Sequence, residues 1–78
     1  MKVKIYSKKN CGYCDKAKIK LQKYVPNIQM LDQDYTREEF FTKFPNAKTF
    51  PQIVINGKPI GGYDNLIELY SSGEISFD

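Results

Sequence analysis

The chain has 78 residues, which suffices for one domain, and we expect residues 1–78 to form that single domain. Its 12 basic and 9 acidic side chains leave a net charge of +3, and all the basic residues except Arg37 are lysines. A charge this small, with so little arginine, is not typical of a nucleic-acid-binding protein. The chain contains no histidine, which excludes a Cys–His or Ser–His catalytic pair and a His-ligated metal within it.

In chain order, the first predicted elements are a strand, a loop and an amphipathic helix. Residues 2–7 alternate polar and apolar side chains, which indicates a β-strand, and a polar loop follows over residues 7–12. The helix after the loop ends before Pro26, because the residue before a proline disfavours helical geometry. Its apolar positions recur at helical spacing: Cys14, Ala17, Leu21 and Tyr24.

A second strand and a second helix are predicted next. Residues 28–31 form the apolar strand, and Thr36 followed by Glu39 matches a capping box, which marks a helix start. We expect three phenylalanines to form the buried face of this short helix, which stops at Pro45: Phe40, Phe41 and Phe44.

The last third of the chain predicts a hairpin and a final helix. Residues 52–56 form the third strand, and Asn56-Gly57 is a strong hairpin turn signal leading to a short strand, residues 58–60. Pro59 places that strand at an edge of the sheet. Asp64 is the expected N-cap of the last helix, which Gly73 ends. The order β-α-β-α-β-β-α predicts an α/β fold with a mixed four-stranded sheet and three helices.

Neither a membrane span nor a secretory signal is predicted. The longest apolar run covers residues 53–55, whereas a spanning helix needs about 20 apolar residues. Residues 1–10 alternate charged and apolar side chains and lack the apolar segment of a signal peptide. We therefore expect a cytoplasmic protein with no membrane partner.

Cys11 and Cys14 form a Cys-x-x-Cys pair at the start of the first predicted helix. Unpaired N–H groups and the positive end of the helix dipole stabilise an anion there, and Lys8, Lys9 and Lys16 can add positive potential. A thiol in such surroundings ionises more readily, and its thiolate is a nucleophile and a good leaving group. We therefore expect Cys11 to attack disulfides and the more shielded Cys14 to resolve the mixed disulfide.

Two other uses of the cysteine pair are less favoured. A zinc site needs two more ligands, and the chain offers neither a further cysteine nor a histidine, so a dimer would have to complete it. A structural bridge across four residues would stabilise the fold by roughly 2 kcal/mol, at the low end for disulfides. We rank a redox-active pair first, a metal site second and a structural disulfide third.

Two further segments are candidate binding sites. A cis peptide at Pro51 would leave the backbone of Phe50 free to pair with a peptide-like substrate, but the residues alone favour the commoner trans bond. Glycines 61 and 62 followed by Asp64 can form a helix N-terminus that binds the carboxylate and ammonium groups of an amino acid. An ordinary helix cap explains this second segment equally well.

Three blocks of the sequence together resemble the glutaredoxin family. They are residues 6–8 (YSK) with 11–14 (CGYC), residues 49–57 (TFPQIVING) and residues 60–64 (IGGYD). A thioredoxin is less similar, because that family usually has a tryptophan before its first cysteine and this chain has none. The resemblance covers nearly the whole chain. It implies a thioredoxin-like fold and a glutathione-dependent disulfide oxidoreductase that serves electron transport and cell redox homeostasis.

The resemblance also assigns roles to individual residues. It makes Cys11 the nucleophile and Cys14 the resolving thiol. Lys8, with Lys48 as a second cation, would meet the glycine carboxylate of glutathione. The Phe50 backbone would pair with the cysteinyl part of glutathione, next to a cis Pro51. The remaining contacts to bound glutathione would come from Tyr13, Thr49, Gly62, Tyr63 and Asp64.

The resemblance implies a monomer whose partners are glutathione, as co-substrate, and disulfide-containing or glutathionylated proteins such as ribonucleotide reductase.

Two residues depart from the family pattern. Phe50 replaces a small branched residue, so its ring would narrow the binding groove. Gly12 stands where dithiol members usually have proline. Members with a small residue there resemble proteins that hold a [2Fe–2S] cluster across a dimer, ligated by the first cysteine and glutathione. A cluster-binding dimer through Cys11 is therefore the alternative function.

Overall fold

The strands and helices follow the predicted order, β-α-β-α-β-β-α, in the computed structural model, which describes residues 1–77. The elements are β1 (Val3–Ser7), α1 (Gly12–Lys20), β2 (Asn27–Met30), α2 (Arg37–Lys43), β3 (Gln52–Ile55), β4 (Lys58–Gly61) and α3 (Tyr63–Ser71). No helix within residues 1–77 is long and apolar enough to cross a bilayer.

The four strands form one mixed sheet in the order β2-β1-β3-β4. β1 pairs in parallel with β2, while β1 with β3 and β3 with β4 are antiparallel. The hairpin turn has positive φ at both central residues, 52° at Asn56 and 81° at Gly57, as a type I′ turn requires. β4 lies at the edge of the sheet, where the missing N–H of Pro59 costs no inner hydrogen bond.

One face of the sheet is covered by α1 and α3. Its buried cluster contains Val3 and Ile5 of β1 together with Ala17, Leu21, Ile53, Leu66 and Ile75. The predicted first helix is too long, however. α1 ends at Lys20, and Tyr24 lies in a separate 3-10 turn, where its N–H donates to the Leu21 carbonyl. Val25, which precedes a proline, has a φ of 50° and cannot continue the helix.

The other face of the sheet carries α2. The capping box is present: Glu39 N–H donates to Thr36 Oγ1 at 3.1 Å, and Thr36 N–H donates to Glu39 Oε1 at 3.0 Å. Phe40 and Phe44 are buried against Tyr6 and Tyr35. The prediction for Phe41 is wrong, because this side chain is 46% exposed. Phe41 contacts the Phe40 ring, with the centroids 5.3 Å apart, but it lies at the solvent-exposed border of the face that Phe40 and Phe44 form.

The start of α3 also differs from its prediction. Gly62, not Asp64, is the N-cap, and Asp64 is the second residue of the helix. The N–H of Gly62 donates to the side-chain oxygen of Asn65 at 3.0 Å. Asn65 thus satisfies the N–H of the N-cap residue, and glycine supplies no side chain to accept from the first turn of the helix. Gly73, with a φ of 80°, follows the end of the helix as predicted.

Candidate active site

The two cysteines lie at the N-terminus of α1 and are joined by a disulfide, with their Cα atoms 5.2 Å apart. Asn10 has a left-handed φ of 55°, which turns the loop after β1 into the helix. Cys11 is then the N-cap residue, and its sulfur accepts a hydrogen bond from the Cys14 N–H at 3.2 Å. Cys11 is half-buried and Cys14 is fully buried. Solvent therefore reaches Cys11 and not Cys14.

The loop before β3 lies against this cysteine pair. The Phe50–Pro51 peptide bond is cis, so the trans bond favoured from the residues alone is wrong and the one implied by the resemblance is present. The Phe50 carbonyl oxygen lies 3.8 Å from the Cys11 sulfur. Gln52 holds the loop by donating from its side-chain amide to the Thr49 carbonyl at 3.0 Å. The backbone of Phe50 thus borders the cysteine that solvent can reach.

The ring of Phe50 packs between α2 and the loop after β1. It stacks on Phe40, with the ring centroids 4.6 Å apart and the planes 19° from parallel. The ammonium of Lys8 lies 5.4 Å from the Phe50 centroid, in cation–π geometry. Phe40 was not predicted to support the site. From the sequence, Phe40 is an apolar position on α2, and this does not show which loop its side chain contacts.

A groove of about 150 Å³ runs from α1 to the start of α3. It brings together six of the residues predicted to bind glutathione, and Asn65 with them. Its lining residues are Tyr13, Thr49, Phe50, Gly62, Tyr63, Asp64 and Asn65. Lys48 lines a neighbouring open cavity of about 460 Å³ and not this groove. Lys8 is not among the lining residues either, and it reaches the groove through its contact with the Phe50 ring.

Gly62 lets the start of α3 approach the cis-proline loop closely. A Cβ atom at this position would lie 3.3 Å from Thr49 Oγ1 and 3.4 Å from the Pro51 carbonyl oxygen. The first distance is tighter than ordinary van der Waals contact, so a side chain at residue 62 would require the Thr49 side chain to shift by a few tenths of an ångström. Asn65, which accepts from the Gly62 N–H, was missed by sequence reasoning. The sequence feature that could have indicated Asn65 is an amide side chain in the first turn of a helix that follows two glycines.

The chemistry of the groove suits a small zwitterion. Tyr13, which is 57% exposed, and Tyr63 form one wall with their ring centroids 5.6 Å apart. Lys16 places its ammonium 5.2 Å from the Tyr13 ring. Backbone N–H groups at the start of α3 can bind a carboxylate, and the exposed carboxylate of Asp64 can accept from an ammonium group. Within residues 1–77, no group of three or more His, Cys, Asp or Glu side chains could hold a metal ion.

A mixed sheet, a Cys-x-x-Cys pair at a helix N-terminus and a cis-proline loop beside it define a thioredoxin-like dithiol protein. The glutaredoxin family model matches residues 3–60. The chain is 37% identical over 73 residues to Glutaredoxin 3 of Escherichia coli K12, covering 91% of this chain and 88% of that protein. The chain belongs to the glutaredoxin family.

Other relatives and solved structures agree with this assignment. Glutaredoxin-C4 of Arabidopsis thaliana is 32% identical over 80 residues, covering 96% of this chain and 59% of that protein, so the present chain spans about three fifths of it. The crystal structure of wheat glutaredoxin matches with a TM-score of 0.78 at 28% identity, covering 95% of this chain and 74% of that one. A buckwheat glutaredoxin–glutathione complex matches with a TM-score of 0.77 at 27% identity, covering 92% and 70%. The expected thioredoxin-like fold is confirmed.

Proposed function

We propose that this protein is a glutathione-dependent thiol–disulfide oxidoreductase that works through Cys11 and Cys14. The observation that carries the proposal is the pair's arrangement, with a half-buried sulfur at the N-cap of α1 and a fully buried sulfur one turn behind it. The N–H of Cys14 already points at the Cys11 sulfur, at 3.2 Å. That donor would stabilise a Cys11 thiolate in the reduced protein, together with the dipole of α1.

The proposed reaction begins with the reduced dithiol. The Cys11 thiolate attacks one sulfur of a client disulfide, forming a new S–S bond and expelling the other sulfur as a thiolate. Cys14 loses its proton and attacks the Cys11 sulfur. The client's second sulfur then leaves, and the protein holds the Cys11–Cys14 disulfide. A first glutathione thiolate opens that bond at Cys11, and a second removes the first as oxidised glutathione. Two electrons pass from two glutathione molecules to the client in each cycle.

For a glutathione mixed disulfide, we propose that the groove holds the tripeptide while Cys11 attacks its sulfur. The Phe50 backbone would pair with the cysteinyl part, and the start of α3, with Tyr63 and Asp64, would hold the γ-glutamyl head. Tyr13, Thr49 and Gly62 would complete the walls. Lys8 and Lys48 flank the groove from outside it and would supply positive charge to the glycine carboxylate. The buckwheat glutaredoxin–glutathione complex supports this assignment, because its fold is the same.

The remaining expectations belong to the same proposal. Residues 1–78 would act as one domain and as a monomer in the cytoplasm. Its clients would be glutathionylated proteins and disulfide-containing enzymes such as ribonucleotide reductase. The mild positive charge of +3 favours anionic small molecules such as glutathione.

A [2Fe–2S] carrier is the second candidate, favoured by one observation at Gly12. This residue is exposed, and a Cβ atom there would meet nothing within 4 Å, so there is free space beside Cys11. A single chain does not fit a cluster by itself, because its two thiols fall short of the four ligands required. Anaerobic purification with glutathione tests the idea. A brown dimer that bleaches when glutathione is removed would support the carrier, and a colourless monomer would exclude it.

A coupled assay tests the main proposal. Reduction of a small glutathione mixed disulfide is followed in the presence of glutathione, glutathione reductase and NADPH. The wild type should turn over, Cys11→Ser should be inactive, and Cys14→Ser should keep activity because glutathione can resolve the intermediate. Equal loss in the two variants would contradict the assigned roles. No turnover by the wild type would overturn the proposed function itself.

A further inference from the structure

The face of the sheet that carries α2 is covered at one end and open at the other. Lys4 of β1 pairs with Asn27 of β2 and with Val54 of β3, and Val54 pairs with Pro59 of β4, so these four residues share that face. α2 covers Tyr6. Beside it, toward the start of β1, lies an open cavity of about 610 Å³. The cavity shares no lining residue with the groove at the cysteines, so it is a second site.

The charge of this cavity has one sign. Lys2, Lys4 and Lys43 line it, and no residue from 1 to 77 that lines it carries a carboxylate. The ammonium groups of Lys4 and Lys43 lie 5.9 and 5.6 Å from the centroid of the Tyr6 ring. The Tyr6 ring therefore makes cation–π contacts with two of the three lysines that line the cavity. None of these lysines forms an ion pair with another residue of the described chain.

The rim of the same cavity carries an exposed apolar side chain on strained backbone. Val25 is 85% exposed and has a φ of 50°. A β-branched residue rarely adopts the left-handed region, and backbone strain is concentrated at functional sites. Met1, which is 51% exposed, lies on the same rim. A partner that covered Val25 would gain the free energy of burying apolar surface.

We infer that this lysine cavity binds an acidic segment of a partner protein, one that presents carboxylates to Lys2, Lys4 and Lys43 and an apolar side chain to Val25. The three lysines favour a ligand that carries carboxylates, because the charges are complementary. The exposed Val25 favours a peptide over a small anion, because a peptide also carries apolar side chains. The absence of arginine among the lining residues argues against nucleic acid, whose phosphates and bases are typically met by bidentate guanidinium groups. The inference does not depend on cysteine chemistry, so it extends beyond the proposed function.

A peptide titration tests the inference. The probe is a six-residue peptide of four glutamates and two leucines, added to the ¹⁵N-labelled protein and followed by NMR. We expect shifts at the lysine cavity and not at the residues around Cys11. The matched probe has glutamine in place of every glutamate and should bind at least about tenfold more weakly, as should the acidic probe when salt rises from 50 to 200 mM.

Two triple variants separate the cavity from overall charge. K2Q/K4Q/K43Q should lose most of the binding, while K18Q/K20Q/K58Q, with the same change of net charge, should keep it. Both should retain turnover of the small glutathione mixed disulfide, which shows that the fold and the groove are intact. Equal loss of binding in the two variants, shifts confined to other surfaces, or no binding at millimolar peptide would overturn the inference. So would tighter binding of a single-stranded oligonucleotide of equal charge at the same cavity.

Discussion

The ammonium of Lys8 lies 5.4 Å above the ring of Phe50, and that ring is itself stacked on Phe40 at 4.6 Å. From the family resemblance, Phe50 is one of two residues expected to depart from the family pattern, and Lys8 is the cation proposed to meet the glutathione carboxylate. The departure therefore has a structural consequence. The aromatic ring holds the Lys8 ammonium near the groove. A small branched side chain at this position has no ring and could not make that contact.

Replacing Phe50 with valine should release Lys8. We expect KM for a glutathione mixed disulfide to rise about two- to fivefold with little change in kcat, because an exposed cation–π contact is worth about 0.5–1 kcal/mol and acts on binding. Steady-state kinetics measure the changes in KM and in kcat separately. Phe41→Val removes a neighbouring exposed ring of the same size and should leave KM unchanged.

A double-mutant cycle with Lys8→Met shows whether the effect passes through the lysine. In that background, Phe50→Val should change KM hardly at all. If the valine substitution raises KM equally with and without Lys8, the ring acts on the groove directly and the positioning role is refuted.

The Cys11 sulfur should ionise at a lower pH than cysteine in an unfolded peptide. Its sulfur already accepts the Cys14 N–H at 3.2 Å and caps the positive end of α1, and both interactions favour the anion. Thiolate absorbance at 240 nm in Cys14→Ser, titrated with pH, measures the ionisation. The same variant in denaturant is the reference. Coincident folded and unfolded titrations would remove the basis of the proposed chemistry.

Two glycine substitutions should have different effects on the free energy of unfolding. At Gly61, φ is 107° and a Cβ atom would overlap the side chain of Asn65, so Gly61→Ala should destabilise the fold by about 1–3 kcal/mol. At Gly12, a Cβ atom meets nothing within 4 Å and the backbone is helical, so Gly12→Ala should be neutral or stabilising by up to about 1 kcal/mol. The midpoints of urea unfolding compare the stabilities of the two variants. Equal midpoints would show that the strain assigned to Gly61 is absent.

Tyr35 should make stability fall at high pH. Burial, and next the nearby Tyr6, raise the pKa of Tyr35 to about 12, and its hydroxyl donates to the Ser7 carbonyl at 2.6 Å. The ordinary tyrosine pKa is 10, so from about pH 10 to 12 the unfolded chain loses this proton more readily than the folded one. The contribution of Tyr35 to the free energy of unfolding is therefore fully present below about pH 10 and is lost as the pH rises toward 12.

Tyr35→Phe serves as the control for that pH dependence. The variant lacks the hydroxyl hydrogen bond, which costs about 1 kcal/mol at neutral pH. Its unfolding free energy should then decline less steeply than that of the wild type above pH 10. Parallel curves for the two proteins would show that Tyr35 does not carry the effect.

Local patterns predicted most of the fold, because each depends on residues a few positions apart. The Thr36–Glu39 capping box and the Asn56-Gly57 turn formed as expected. The Cys-x-x-Cys pair also lies at a helix start, as the strand–loop–helix pattern indicated. These features need no knowledge of the rest of the chain.

What was missed depends on contacts between distant segments. The stacking of Phe50 on Phe40 joins a loop to a helix face and leaves no local signature. The N-cap of the last helix is Gly62 and not Asp64, and its position depends on segments that meet there: a Cβ atom at Gly62 would lie 3.3 Å from Thr49 Oγ1. The cis bond at Pro51 was assigned from the family resemblance, since the residues around it favour trans.

The burial of Cys14 has a consequence for the size of the clients. Cys14 approaches a bond at Cys11 from the buried side, so a client thiol that Cys14 displaces leaves on the side of Cys11 that solvent reaches. No part of the core has to open for a bulky product to escape. The bulk of a client therefore does not by itself block this exit, provided that the client's sulfur protrudes far enough to touch the helix start.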